Sequence, residues 1–325
     1  MVGAGPAGAV AAIVAARRGL HIALTGTARN HRRSIEMLGP QAVQILRELD
    51  LFDDLEAIGA NECPGVRTVW QDGDAVRRSI FDPDGAGWIV ERQSLDRMLV
   101  SAARRAGAEV DVGNITSVAA EDGGWRIANG QIAPLAARTL LVATGRGQRI
   151  ARQVGVDYRT DGDEVTLLAK LDRVGEAWRN DPLLLVERTA HGWMYGLPLR
   201  GDAVVGITMD PALLAGRRLE TAWLETAPSC RTYHRFYVGS ALKHVWALPS
   251  GPTYAQQPVG ANWAVAGDAA LSSGPISGQG LSFALESGLR AANFLAERAT
   301  AQGYAEWVAD EQLRYSMAWH HFAEV

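Results

Sequence analysis

Three glycines at the start of the chain are spaced to receive a phosphate. The run Met1-Val2-Gly3-Ala4-Gly5-Pro6-Ala7-Gly8 carries the pattern Gly-x-Gly-x-x-Gly. Gly3 permits a tight turn out of a strand, Gly5 leaves the backbone free to approach a pyrophosphate, and Gly8 lets a helix pack closely on a sheet. The helix that follows aims its first N–H groups and the positive end of its dipole at the anion. Pro6 and Ala7, inside the turn, join the glycines as candidate cofactor-binding residues. The motif is weak alone, but here it sits in a strand–turn–helix–strand succession: a small-residue helix Ala9–Arg18, then Gly19, then the apolar run Leu20-His21-Ile22-Ala23-Leu24. Only Met1 and Val2 precede the glycines, so the first strand is either unusually short or begins upstream of Met1; the residues leave both open. The acid expected after the second strand, for ribose hydroxyls, is missing: the segment reads Leu24-Thr25-Gly26-Thr27, with Gly26 in its place. Ribose recognition then uses other groups or is weaker.

A second constellation lies near the other end. Ala264-Val265-Ala266-Gly267-Asp268-Ala269-Ala270 is followed by Gly274-Pro275-Ile276-Ser277-Gly278-Gln279-Gly280-Leu281. A strand delivering Gly267 and Asp268 to a cofactor offers a carboxylate that accepts a hydrogen bond from a ribityl hydroxyl. The loop then feeds a helix starting near Gly278, Gln279 and Gly280, whose amides can face a flavin pyrimidine ring and stabilise negative charge on the reduced form. The two motifs together point to FAD.

With these residues in view, the chain resembles the FAD-dependent aromatic hydroxylase superfamily, in the branch near the flavin-dependent tryptophan halogenases. Within that branch it is most similar to the flavoproteins that oxidise tryptophan in precursors of quinone-cofactor enzymes. The supporting segments are Glu36-Met37-Leu38-Gly39-Pro40, Gly87-Trp88-Ile89-Val90-Glu91-Arg92, Ala143-Thr144-Gly145-Arg146-Gly147, Gly192-Trp193-Met194-Tyr195-Gly196-Leu197-Pro198 and the loop at Gly274–Gly280, where Gly274 replaces the family's aspartate. The resemblance implies that Arg33, Glu36, Arg92 and Gly145 surround the cofactor. It also implies that a C4a-hydroperoxyflavin is poised over an electron-rich aromatic substrate, with tryptophan or indole, free or protein-borne, as the candidate. Trp193 and Tyr195, two residues apart on one strand face, either line the substrate pocket with Pro275 or are ordinary core aromatics. Halogenases of this group use a lysine in the N-terminal half; the lysines here are Lys170 and Lys243, which disfavours halogenation. The Asp-Gly motif associated with reductant binding is not visible near Thr144-Gly145, which suggests a separate flavin reductase. No catalytic acid or base is assigned, since the flavin does most of the work. Two other readings stay open: a reductase or dehydrogenase of the isoprenoid-reductase type, and a flavin-holding partner protein without turnover.

The elements that must position these residues read as an α/β chain with an α+β insert, that is, a Rossmann-like FAD-binding domain interrupted by an antiparallel-sheet substrate domain. The expected division assigns 1–60, 89–155 and 256–325 to the FAD domain, and 61–88 and 156–255 to the sheet domain. Helices are expected at Gln41–Leu49, at Ser94–Ala106 with Ser94 as N-cap, around Leu213–Glu225, at Gly280–Ala296 and at Tyr304–Phe322. A hairpin is expected over 66–81, and strands at Val110–Val112, Thr139–Ala143, Val165–Leu168, Leu183–Glu187, Trp193–Leu197, Ala203–Met209, Val245–Leu248 and Trp263–Ala266. Hydrophobic residues at 47% and charged residues at 21% match ordinary enzymes. A net charge of -4, evenly spread, argues against a nucleic-acid partner. Cys63 and Cys230 lack metal-ligand spacing, so no metal site is expected, and two free thiols fit a reducing cytoplasm. No apolar run reaches the ~20 residues of a membrane span.

Overall fold

The computed structural model describes residues 1–26, 34–70, 73–79, 84–111, 113–128, 134–275, 278–297 and 299–324, with side chains left undescribed at 177 and 319–324. Arg33, Ile276 and Ser277 lie outside the described residues.

Five segments run parallel side by side. Glu109–Asp111 pairs with Ala23–Thr25, Val2 bridges Thr25 on one side and Val142 on the other, and Leu140–Val142 pairs with Trp263–Val265. The first strand is thus short, yet well held. Val2 N–H donates to Leu141 O (2.8 Å), Gly3 N–H to Thr25 O (2.7 Å) and Ala143 N–H to Val2 O (2.7 Å). Leu140, Leu141, Val142, Trp263, Ala264 and Val265 are all buried, as strands covered on both faces must be. On this sheet lies the helix Pro6–Arg17, buried from Pro6 to Ala15, with Gly280–Leu295 and Arg92–Arg105 packed against it. Alanines and glycines permit that approach: a Cβ at Gly288 would collide with the carbonyl of Ala7.

The second sheet has seven strands, in the order Ala241–Pro249, Val165–Asp172, Asp202–Met209, Gly192–Leu199, Leu184–Thr189, Gly65–Trp70, Gly73–Arg78. It is antiparallel except at one joint, where Leu184–Thr189 runs parallel to Gly65–Trp70. The pairing of Gly65–Trp70 with Gly73–Arg78 is the expected hairpin; residues 71–72 of its turn lie outside the described residues. Side chains alternate between the faces with the two-residue period of a strand. Leu167, Ala169, Val205, Ile207 and Met194 pack under Trp178, Trp223 and Phe236. On the other face, Leu168, Val204, Leu197 and Trp246 cluster with Ile35, Cys63 and Ile89.

Two local expectations need correction. Ser94 is not the N-cap of its helix, which spans Arg92–Arg105 after Glu91; Ser94 Oγ instead donates back to Glu91 Oε2 (2.8 Å). The helix expected around Leu213–Glu225 is divided into a 3₁₀ turn, Pro211–Leu214, and a helix, Leu219–Thr226, because Gly216 turns the chain at φ 70°. A further short helix, Tyr233–Tyr237, lacks any signal in the pattern.

Both cysteines are buried and free, and burial together with Glu187 pushes the Cys230 thiol up to about 12. No helix among the described residues is long and apolar enough to cross a membrane, and none of their His, Cys, Asp and Glu side chains group to hold a metal ion.

Trp178 closes the covered face of the second sheet. It is fully buried, its indole N–H donates to Leu183 O (2.9 Å), and its ring packs where any side chain at Gly196 would stand. Trp178→Ala should lower stability by about 3–5 kcal/mol in chemical denaturation. A loss under ~1 kcal/mol would mean the layer recloses without it.

Candidate cofactor site

The Gly3–Gly8 turn is built by backbone contacts that exclude side chains. Gly3 has φ 111°, and a Cβ there would collide with the backbone of Ala143 and Thr144; a Cβ at Gly8 would collide with the carbonyl oxygen of Gly3. Gly5 differs. Its backbone is extended (φ -80°, ψ -174°), a conformation open to any residue, and a Cβ would meet nothing within 4 Å. No described residue beyond the chain neighbours comes within 4 Å of that position, and the free N-terminal amides of Pro6–Arg17 border it. Gly145, Gly278 and Gly280 likewise present an open side, with no described residue within 4 Å of where a Cβ would stand.

The two glycine-bearing motifs meet. A Cβ at Gly267 would lie 3.0 Å from the Ala7 methyl group, so the turn before Asp268 rests on the first helix. Gly267 N–H donates to the buried Ser287 Oγ (2.8 Å), and Tyr158 OH donates to Ala269 O (2.7 Å), fixing the turn from both sides.

Charges converge on the same place. Arg92 Nε donates to Asp96 Oδ1 (2.9 Å), and its guanidinium pairs with Glu36 (3.4 Å). Burial alone would depress the Arg92 pKa, but Glu36, Asp96 and Asp268 more than offset it, and the pKa lies above the ordinary arginine value. Arg92 is thus locked in its charged form. Arg146 binds Ser272 Oγ and the carbonyl of Gly251; desolvation lowers its pKa, partly countered by Asp268. Arg146 was legible only as part of the Ala143–Gly147 turn; its link to Ser272 and Gly251 requires the fold.

Of the other expected residues, Gln279 Oε1 accepts from Tyr315 OH (3.3 Å) at the start of Gly280–Leu295. Pro275 is half-buried at the head of that loop. Tyr195 packs with the Ile35–Ile89 cluster, and burial, with Glu36 nearby, raises its phenol pKa. Trp193 meets Trp70 edge-on (centroids 4.9 Å) with Arg188 over its ring (5.0 Å). The structure therefore brings Tyr195 near Glu36 and seats Trp193 in the sheet's packing. A cavity of about 700 Å³ is lined by Asn61, Glu62, Ile89, Pro198, Arg173 and Arg200, and contains none of the expected cofactor-binding residues.

The two kinds of glycine separate in a stability test. Gly8→Ala should cost roughly 1–3 kcal/mol or more, because the helix must move off the sheet. Gly5→Val should leave the unfolding free energy of the ligand-free protein within about 1 kcal/mol of wild type. Equal losses would contradict the open space over Gly5.

No family model matches the chain. Among curated proteins it is similar to a 1H-pyrrole-2-carbonyl-[peptidyl-carrier protein] brominase of Pseudoalteromonas luteoviolacea, 25% identical over 313 residues, covering 90% of this chain and 75% of that one. It is also similar to a menaquinone reductase of Mycobacterium tuberculosis, 28% identical over 334 residues, covering 95% and 79%. Among solved structures, the flavin-dependent brominase Bmp2 superposes with a TM-score of 0.87 at 20% identity, covering 99% of this chain and 86% of that one. The peptidyl tryptophan dihydroxylase QhpG, essential for tryptophylquinone cofactor biogenesis, superposes with a TM-score of 0.80 at 25% identity, covering 99% and 73%. In fold, the chain stands with the FAD-dependent halogenase- and hydroxylase-like flavoproteins.

Proposed function

We propose that this chain is an FAD-dependent monooxygenase that hydroxylates an aromatic ring, with tryptophan or indole, free or within a polypeptide, as the candidate substrate. The observation that carries FAD binding is the docking of Gly267 onto Ala7 of the Gly3–Gly8 turn, with no described residue crowding Gly5, Gly145, Gly278 or Gly280. A dinucleotide needs that combination: a pyrophosphate sits against bare backbone and a helix N-terminus, while a carboxylate further along accepts from ribityl hydroxyls.

In this reading Gly3, Gly5, Pro6, Ala7 and Gly8 hold the pyrophosphate, and Gly267 and Asp268 hold the ribityl chain. Gly278, Gln279 and Gly280 present amides to the pyrimidine end. Arg33, Glu36, Arg92 and Gly145 surround the rest, with Arg92 kept cationic by its acidic neighbours. Bound reduced FAD supplies oxygen activation; the protein supplies position and a dry surround. The sheet face bearing Tyr195 is the surface offered to the substrate, together with Pro275 and with Trp193 at its margin. Residues 1–60, 89–155 and 256–325 form the FAD-binding part; 61–88 and 156–255 form the substrate part.

Oxygenation is favoured over halogenation because both lysines are committed to ion pairs, Lys170 with Asp202 (3.1 Å) and Lys243 with Asp172 (2.8 Å). A separate flavin reductase supplies the electrons. The menaquinone reductase relative supports a second reading, transfer of reducing equivalents to an unsaturated chain or quinone without oxygen.

Two measurements test these statements. Gly5→Val, folded by the criterion above, should purify without FAD, because its side chain fills the pyrophosphate space; a variant with full yellow occupancy would misplace that site. Chemically reduced, FAD-loaded wild type should incorporate one or more atoms of ¹⁸O₂ into an indole-bearing peptide or free indole, read by mass spectrometry. Bleaching of the bound flavin by NAD(P)H alone, with no label in any aromatic product, would favour the reductase reading.

A further inference from the structure

We infer that the cavity at the turn end of the second sheet binds a phosphate ester, its oxyanion held by Arg173, Arg179 and Arg200 and its apolar body resting on Ile89, Val174 and Pro198. At about 700 Å³ the cavity has the size of a small-molecule site. None of the residues assigned to FAD lines it, so the inference does not rest on the FAD-binding reading.

Three guanidinium groups reach the cavity from separate segments. Arg173 follows the strand Val165–Asp172, Arg179 ends the short helix Glu176–Arg179, and Arg200 stands in the turn between Gly192–Leu199 and Asp202–Met209. All three are solvent-exposed, so a dissolved ligand can reach them. Carboxylates line the cavity too, but two of them are engaged by lysines: Asp172 with Lys243 (2.8 Å) and Asp202 with Lys170 (3.1 Å). Arg173 has only a 3.7 Å contact with the Asp172 that Lys243 already holds. Arg179 donates to Val174 O (2.9 Å), and the Arg200 guanidinium lies where a Cβ at Gly59 would stand; neither has a carboxylate partner among the described residues. Counting the two lysines, five cations meet three anions here, Glu62 being the third. A phosphate neutralises that excess, and planar guanidinium forks match its oxygens.

The backbone carries a second sign. Arg200-Gly201 is a two-residue turn, with Leu199 opposite Asp202 and φ of 53° and 88°. Such turns favour Asn-Gly, because both central residues are left-handed. Arg173 has φ 51° as well. Two arginines of one cavity thus occupy positions that disfavour their residue type, and strain of this kind collects at functional sites.

Calorimetric titration with phenyl phosphate, on the purified protein with and without added FAD, tests the site. Arg173→Asn and Arg200→Asn each remove a guanidinium while supplying a residue that the left-handed backbone accepts, so both should melt no lower than wild type. Arg179→Gln, at an exposed helix end, gives the same readout without touching either turn. Wild type should bind phenyl phosphate roughly tenfold or more tighter than benzoate, and each variant should lose about tenfold in affinity. Affinity unchanged in all three variants, benzoate bound as tightly, or no phenyl phosphate bound at millimolar concentration would each overturn the assignment. Competition by FAD would place the phosphate at the glycine turn and overturn it too. Failure of the protein to take up FAD, with the arginine dependence intact, would count against the FAD reading alone.

Discussion

The rest of the molecule depends on a contact between bare backbones. The turn at Gly3 lies directly against the main chain of Ala143 and Thr144, and Gly8 lies against the carbonyl of Gly3. A methyl group at either point would force the first helix away from the sheet. That helix is buried from Pro6 to Ala15 and has the helix Gly280–Leu295 stacked on it through the Ala7–Gly288 contact. Displacing it would carry Gly267 and Asp268 with it. The geometry of both motifs is therefore set by the absence of side chains at a few places, and the close packing of interiors leaves no slack to absorb one.

Upon this steric frame sits a ring of charges drawn from distant parts of the sequence. Glu36 arrives on Ile35–Leu38, Arg92 and Asp96 on the helix Arg92–Arg105, Arg146 after Leu140–Val142, and Asp268 after Trp263–Val265. Buried charges are tolerated only when paired and hydrogen-bonded. Here Arg92 has two carboxylates within 3.4 Å, and Asp268 acts on both Arg92 and Arg146. The pairing keeps Arg92 cationic despite its burial. Electrostatics alone could not select a flavin.

What could be read from residues alone follows from this division. The glycine motifs were legible because each glycine answers a local steric demand, and the strands were legible because burial on one or two faces leaves a period in the sequence. Helix Pro40–Glu48 showed itself through the spacing of Val43 and Leu46. Pairing was not legible. Nothing in Gly65–Trp70 or Leu184–Thr189 announces that they run parallel, since that choice is made by the layers around them. Ser94 has the chemistry of an N-cap, yet Arg92 and Gln93 already continue the helix from Glu91. Arg33, Ile276 and Ser277 fall outside the described residues.

The second sheet explains why so steric a cradle can serve different chemistries. Its covered face, around Trp178, Trp223 and Phe236, is pure packing; the opposite face carries Tyr195, Trp246 and the buried Thr166–Thr208 hydroxyl pair (2.9 Å). Because side chains alternate along each strand, the second set can change without disturbing the first, and neither touches the contacts at Gly3 and Gly8. Proteins named as brominase, dihydroxylase and reductase can then share this frame while little of their sequence agrees. The contacts at Gly3 and Gly8 are made by backbone, which tolerates almost no variation at those positions. On the sheet face bearing Tyr195 and Trp246 the fold imposes only alternation and size.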